Sequence, residues 1–222
     1  MYEFVNGLAL KMSLFPRKSM HCQVTALFFG GLVLIGQAAQ AATIVLNFEG
    51  FPDGTVLSNQ YSGVAFTNAA VLKAGFSLNE SEFPPRSGTN VATDIGGPIS
   101  IAFTTPATSF SAYFTYLSRL TVTAFNAANT PIGSVTSAFT NNLACLAGPP
   151  CSGNPGSSPN ELLSLTIGSG ISKVTIKGAN SGGSFVVDDA TFSTPTAPVP
   201  EPAGIVLLVS GLLVLRLRAT RS

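Results

Sequence analysis

At 222 residues and 45% apolar content the chain is long enough for one domain with a real core, yet only 9% of its residues are charged, far below the roughly one quarter usual in globular proteins. Between Ala42 and Val199 eight acidic residues stand against five basic ones, a net of −3, which excludes an electrostatic footprint for nucleic acid. The single histidine, His21, falls in the first 41 residues, so Ser-His-Asp and Cys-His catalysis and His-ligated metal centres are excluded from everything after it.

Residues 1–41 read as a secretory signal peptide. Lys11, Arg17 and Lys18 make a positive n-region, residues 24–36 (VTALFFGGLVLIG) an apolar h-region, and Ala39-Gln40-Ala41 a small-residue cleavage site before Ala42. The run is shorter than the roughly 20 apolar residues of a comfortable membrane span, although a retained N-terminal anchor is the competing reading. Translation starting at Met12 or Met20 would shorten the n-region.

From 42 to 194 no helical period is present. Short β-branched or alternating runs recur, separated by Gly, Pro, Asn and Ser, and predict strands at 43–48, 63–67, 70–73, 99–103, 109–116, 120–125, 132–136, 162–167, 173–177 and 184–192. The clearest is 109–116, with Phe110, Ala112, Phe114 and Tyr116 on one side and Ser109, Ser111, Tyr113 and Thr115 on the other. Residues 126–131 (NAANTP) read as a hairpin loop. Nine or ten short strands in this length predict an all-β fold, an antiparallel β-sandwich of jelly-roll type.

The least regular stretch, 141–160, holds Cys145 and Cys151. With Cys22 in the signal peptide these two are the cysteines of the mature chain, and a disulfide between them is expected after export. Zinc is the alternative, but two cysteines without histidine do not fill a tetrahedral site.

Residues 195–222 form a third unit: a linker, then Val199-Pro200-Glu201-Pro202, an apolar run over 203–215 (AGIVLLVSGLLVL), and Arg216, Arg218 and Arg221. The cationic end places the tail in the cytoplasm and the domain outside. The run is short for a span, which arginine snorkelling can lengthen. A buried core helix is the competing reading, against which stands the lack of polar residues at a helical period, Ser210 alone interrupting the run. This order of parts resembles the PEP-CTERM sorting domain over about residues 198–221. The resemblance implies an exosortase as processing partner, cleavage near the motif, and initial anchoring in the inner membrane by the C-terminal helix. It also implies delivery to the surface or matrix of a Gram-negative-type bacterium that makes exopolysaccharide. Leu217, Ala219 and Thr220 break up the arginine tail, a small departure from the usual pattern. The segments LNFEGFPDGTVLSNQYSGVAFTN and ISKVTIKGANSGGSFVVDDATF look like the first and last strands of β-sandwich domains that carry this signal, which are similar to carbohydrate-binding jelly rolls.

Chemistry is sparse. There is no glycine-rich phosphate loop with a lysine. Glycoside hydrolysis needs only two carboxylates at a set separation, but the chain has no tryptophan to line a sugar-cleaving cleft. Glu49 and Asp53 follow the first predicted strand, while Asp188 and Asp189 lie in the last, which a jelly roll brings beside the first. Adjacent aspartates on a strand point to opposite faces. A structural calcium ion is therefore expected on Glu49 and one of the pair, with Asp53 a further candidate, since carboxylates and carbonyls supply the six to eight oxygens calcium takes. The alternative is a turn at Asp53-Gly54 and a solvated strand end. Tyr61, Tyr113 and Tyr116 are the candidate sugar-stacking rings. Three readings of different class follow: an exported, sorted, non-enzymatic surface or matrix protein; a carbohydrate-binding module for exopolysaccharide; and an enzyme.

Overall fold

The computed structural model describes residues 42–144 and 153–195, with Gly211, Leu212, Arg216 and Ala219, which are helical. Ala39, Ala41, Cys145, Cys151, Val199, Pro200, Glu201, Pro202 and Arg218 lie outside the described residues, and so do most of the two apolar segments.

Ten strands make up the described domain: β1 (Ala42–Leu46), β2 (Val56–Leu57), β3 (Val64–Thr67), β4 (Ala69–Lys73), β5 (Asn90–Asp94), β6 (Ile99–Tyr116), β7 (Thr121–Phe125), β8 (Pro131–Thr136), β9 (Glu161–Lys177) and β10 (Phe185–Thr194). Their ladders are antiparallel. Two long strands organise them. The first half of β6 pairs with β3 and with the second half of β9, which continues to β7 and β8. The second half of β6 pairs with the first half of β9 and with β10. Along its other edge β10 holds β1 and β5, and β5 leads to β4 and β2. The halves thus belong to two layers that enclose one core, to which β1, β3, β5, β6, β7, β9 and β10 all contribute.

The corner between the layers is written in the side-chain parity. On β6 the buried apolar residues are Ile99, Ile101 and Phe103, then Ala107, and then Phe110, Ala112, Phe114 and Tyr116. On β9 they are Leu163, Leu165 and Ile171, then Val174 and Ile176. A strand keeps one parity on one face, so each strand must gain an irregularity to go on burying apolar residues after the bend. Register shifts occur on both sides of the Ala107–Ile171 pair, as bulges at sheet corners do. At this corner Gly170 has φ 83°, and a Cβ there would stand 3.1 Å from Cβ of Pro106. Sequence reading splits β6 and β9 into two strands each because Pro106 and the Gly168–Gly170 stretch break the alternation. The backbone runs through both.

β2 and β5 are unforeseen strands. β5 (NVATD) is buried at all five positions. Ala92 faces the core, while Val91 on the opposite side packs with Val186 and Leu78 under Leu72, Ala74 and Phe83. A strand covered on both faces shows no alternation, and its polar members Asn90, Thr93 and Asp94 disguise it further. The 126–131 loop does form the β7–β8 hairpin, with Asn129 at φ 59° and the Thr130 N–H donating to Asn126 Oδ1 at 2.9 Å.

Candidate functional site

Three of the four carboxylates singled out above meet at one segment, residues 86–90, which leads into β5. Glu49 sits in the turn after β1, and its Oε1 accepts the backbone N–H groups of Thr89 and Asn90, each at 2.8 Å. Asp188 lies in β10, 1% exposed, and its Oδ2 accepts the N–H groups of Arg86 at 2.8 Å and Ser87 at 3.0 Å. Its Oδ1 takes the N–H of Asp189 at 2.7 Å. Asp189 Oδ1 accepts the Ser87 hydroxyl at 2.9 Å. The two aspartates therefore reach the same neighbour instead of facing opposite ways. The cause is a bulge between Asp188 and Thr191 with Asp189 at φ 46°, which turns its side chain back. Asn90 finishes the fastening, its Nδ2 donating to the carbonyls of Phe48 and Phe51.

Asp53 stands apart. Its Oδ1 accepts the Ser77 hydroxyl at 2.6 Å and the Lys73 N–H at 2.8 Å, and the Ser77 bond leads the causes that hold its pKa below the usual value. Among the described residues no group of three or more His, Cys, Asp or Glu side chains is placed to hold a metal ion. The expected calcium cage is thus not assembled from these side chains. Glu49 Oε1 and both Asp188 oxygens already accept backbone donors, and Asp53 serves a different turn. Electrostatics mark the difference between the acids. Burial raises the Asp188 carboxyl to about 6, against the pull of the N–H donors of Ser87 and Arg86. Burial likewise raises Asp94, which accepts the Ser184 N–H at 3.1 Å through Oδ1 while its Oδ2 is buried with no partner.

The three tyrosines sit in different surroundings. Tyr116 is fully buried; its hydroxyl donates to Glu161 Oε2 and accepts the Phe139 N–H at 3.3 Å. Burial first, then the Glu161 bond, pushes it up to about 12. Tyr61 packs edge-on against Phe48 and Phe51, and its hydroxyl accepts the Phe48 N–H at 2.9 Å. The Tyr113 ring lies 4.7 Å from the Arg86 guanidinium carbon, a cation–π contact on the same 86–90 segment. The strand pattern around Tyr116 was legible, but the ring is fully buried and its polar tip finds the half-buried Glu161 carboxylate, so the ring is not presented to a ligand.

Among the described residues, two recesses are small or lined without titratable side chains. One of about 210 Å³ lies under Leu78 and Phe83 on the outer side of β5 and β10. Another of about 480 Å³ is lined by Leu143, Ala144 and residues 153–159, none of them titratable.

What sequence reasoning missed is a surface that exists only once the strands are in register. Thr67 pairs with Ser100, Ser100 with Thr175, Thr175 with Thr123, and Thr123 with Ser134. Five hydroxyl residues therefore form one continuous row across β3, β6, β9, β7 and β8, on the side away from the core. Lys173 and Lys177 flank the row on β9, two residues to either side of Thr175. The Lys173 ammonium lies 4.6 Å from the centre of the Phe125 ring and donates to Asn129 Oδ1. The signal lay in single Thr and Ser positions of five separate strands, which no one segment reveals.

No family model and no curated protein matches the chain. Solved structures do resemble it. The K2 cleaved adhesin domain of Lys-gingipain shares 14% identity over 68% of this chain and 99% of that one, with a TM-score of 0.41. The K1 adhesin domain of Lys-gingipain from Porphyromonas gingivalis W83 shares 11%, over 70% and 99%, with a TM-score of 0.40. A family 29 carbohydrate-binding module from Piromyces equi shares 11%, over 70% and 91%, with a TM-score of 0.39. Identities and scores this low carry nothing about activity, and the functional reading rests on the residues of this chain.

Proposed function

We propose that the chain is an exported bacterial surface or matrix protein, sorted through residues 195–222, whose β-sandwich is a non-enzymatic binding module. One observation carries the molecular part. Four of the eight carboxylates of the domain are engaged as fasteners: Glu49, Asp53 and Asp188 on backbone N–H groups, and Glu161 on the Ala138 N–H and the Tyr116 hydroxyl. A general acid or base must instead reach a substrate proton. The sorting part is supported by the Val199–Pro202 motif, the apolar run and Arg216 and Arg218, together with the export signal ending at Ala41. An exosortase is the expected processing partner.

A second reading, that the module binds exopolysaccharide, is favoured by the outward hydroxyl row, because hydroxyls that both donate and accept match those of sugars. Expression in an exosortase-bearing host tests the whole proposal. The intact chain should reach the envelope or medium with its C-terminal segment removed, and should hydrolyse no glycan offered. Unchanged mass and location after Pro200–Pro202 is replaced by alanines would refute the sorting. Turnover abolished by Glu49→Gln or Asp188→Asn in a folded chain would refute the non-enzymatic reading.

A further inference from the structure

Charge is distributed unevenly between the two layers. The strands of the five-strand layer, β3, residues 99–103 of β6, residues 171–177 of β9, β7 and β8, contain Lys173 and Lys177 and not one carboxylate. The eight acidic residues of the domain all lie elsewhere: on the loops around β1, β4 and β5, in β5 and β10, and at the start of β9. A domain of net charge −3 thus presents one outer face that is purely cationic.

On that face the hydroxyl row runs perpendicular to the strands. Neighbouring strands lie about 4.8 Å apart, so the row offers a hydroxyl at that interval over roughly 19 Å from Thr67 to Ser134. Lys173 and Lys177 stand on opposite sides of it, each about 6.6 Å along β9 from Thr175. Beside Lys177, Thr121 pairs with Thr136, adding a second short hydroxyl pair.

We propose that this face binds an extended anionic polysaccharide, laid across the strands along the Thr67–Ser134 row, with Lys173 and Lys177 meeting its acid groups. The inference rests on the binding-module reading above and narrows it to a face and a ligand class. Hydroxyls and two separated cations suit a chain of sugars carrying occasional carboxylates. Nucleic acid, with one charge per roughly 1.7 Å of duplex, demands a denser basic patch and meets repulsion from the rest of the domain. An anionic membrane would want apolar side chains to insert beside a polybasic cluster, and the one large apolar ring here, Phe125, lies beneath Lys173.

The test is affinity electrophoresis of the full chain against alginate, a polyuronate, with pullulan as the neutral glycan and phosphatidylserine vesicles and single-stranded DNA as the other anions. The expected result is retention by alginate that weakens with salt and exceeds retention by the other three probes. The double change Lys173→Ala and Lys177→Ala should weaken it about tenfold, the loss of two screened charge contacts, at unchanged melting temperature. Thr123→Val with Thr175→Val should weaken it several-fold, and Lys73→Ala, on the other layer, should leave it intact. Retention by alginate that survives the double lysine change, or stronger binding to vesicles or DNA, would overturn the proposal. Equal retention by pullulan, unaffected by these variants, would sink the anionic face while leaving a binding module. Failure to retain any glycan would sink both.

Discussion

Gly88 lies so close to the Glu49 carboxylate that a Cβ on it would stand 2.3 Å from Oε1. The residue also has φ +57°, a conformation L side chains rarely adopt. Both facts come from one arrangement: Glu49 holds the N–H groups of the next two residues, and the chain must curl around the carboxylate to deliver them. Gly88→Ala should therefore cost about 2 kcal/mol or more, from positive-φ strain plus displacement of the carboxylate. Alanine at Gly54, which has positive φ but open space around it, should cost less. Denaturant melts of the two variants give the comparison.

Two buried aspartates should respond oppositely to amidation. Asp188 accepts three N–H groups through both oxygens; asparagine replaces one acceptor with an NH₂ that faces a donor, so Asp188→Asn should lose about 1–3 kcal/mol. Asp94 accepts the Ser184 N–H through one oxygen and leaves the other buried without a partner. An amide placed on that free oxygen breaks no hydrogen bond, so Asp94→Asn should be neutral or stabilising at pH 7. Equal destabilisation of the two, measured by urea unfolding, would contradict this.

Stability should also depend on acid in an unusual direction. The folded-state pKa of Asp188 is about 6, above its ordinary 3.8, so the folded protein binds more protons than the unfolded chain between these values. Its contribution is present below the lower value and is lost as pH rises through about 6. Relative to Asp188→Asn, the parent should gain stability on going from pH 7 to pH 4.5, by on the order of 2 kcal/mol. Parallel melting-temperature profiles for the two proteins would show the assignment to be wrong.

Tyr116→Phe should unseat two groups at once, Glu161 Oε2 and the Phe139 N–H. The expected cost is about 1–3 kcal/mol, and with it a tyrosine ionisation near pH 12 should vanish from an alkaline absorbance titration.

Much of the architecture is legible in the sequence. Alternation at Phe110, Ala112, Phe114 and Tyr116 marked a core-facing strand, and the aspartates of the last strand do come near Glu49, because β1 pairs with β10 from Ala42–Thr194 to Leu46–Ala190. The rest was hidden for definable reasons. β5 is covered on both faces and so lacks a period. Pro106 and Gly170 mimic breaks at a corner the backbone crosses. A bulge at Asp189, which no residue type announces, sets both aspartates on one segment, and the hydroxyl row depends on four registers that only the folded ladder defines.

The central claim, that the acidic residues hold the fold together as part of a binding module, can be read directly from amide hydrogen exchange at residues 86, 87, 89 and 90. The account predicts slow exchange at all four in the intact protein, about a hundredfold or more below that of an open loop. Glu49→Gln should release Thr89 and Asn90, and Asp188→Asn should release Arg86 and Ser87. Exchange at open-loop rates in the parent, or release that ignores which carboxylate was changed, would contradict it.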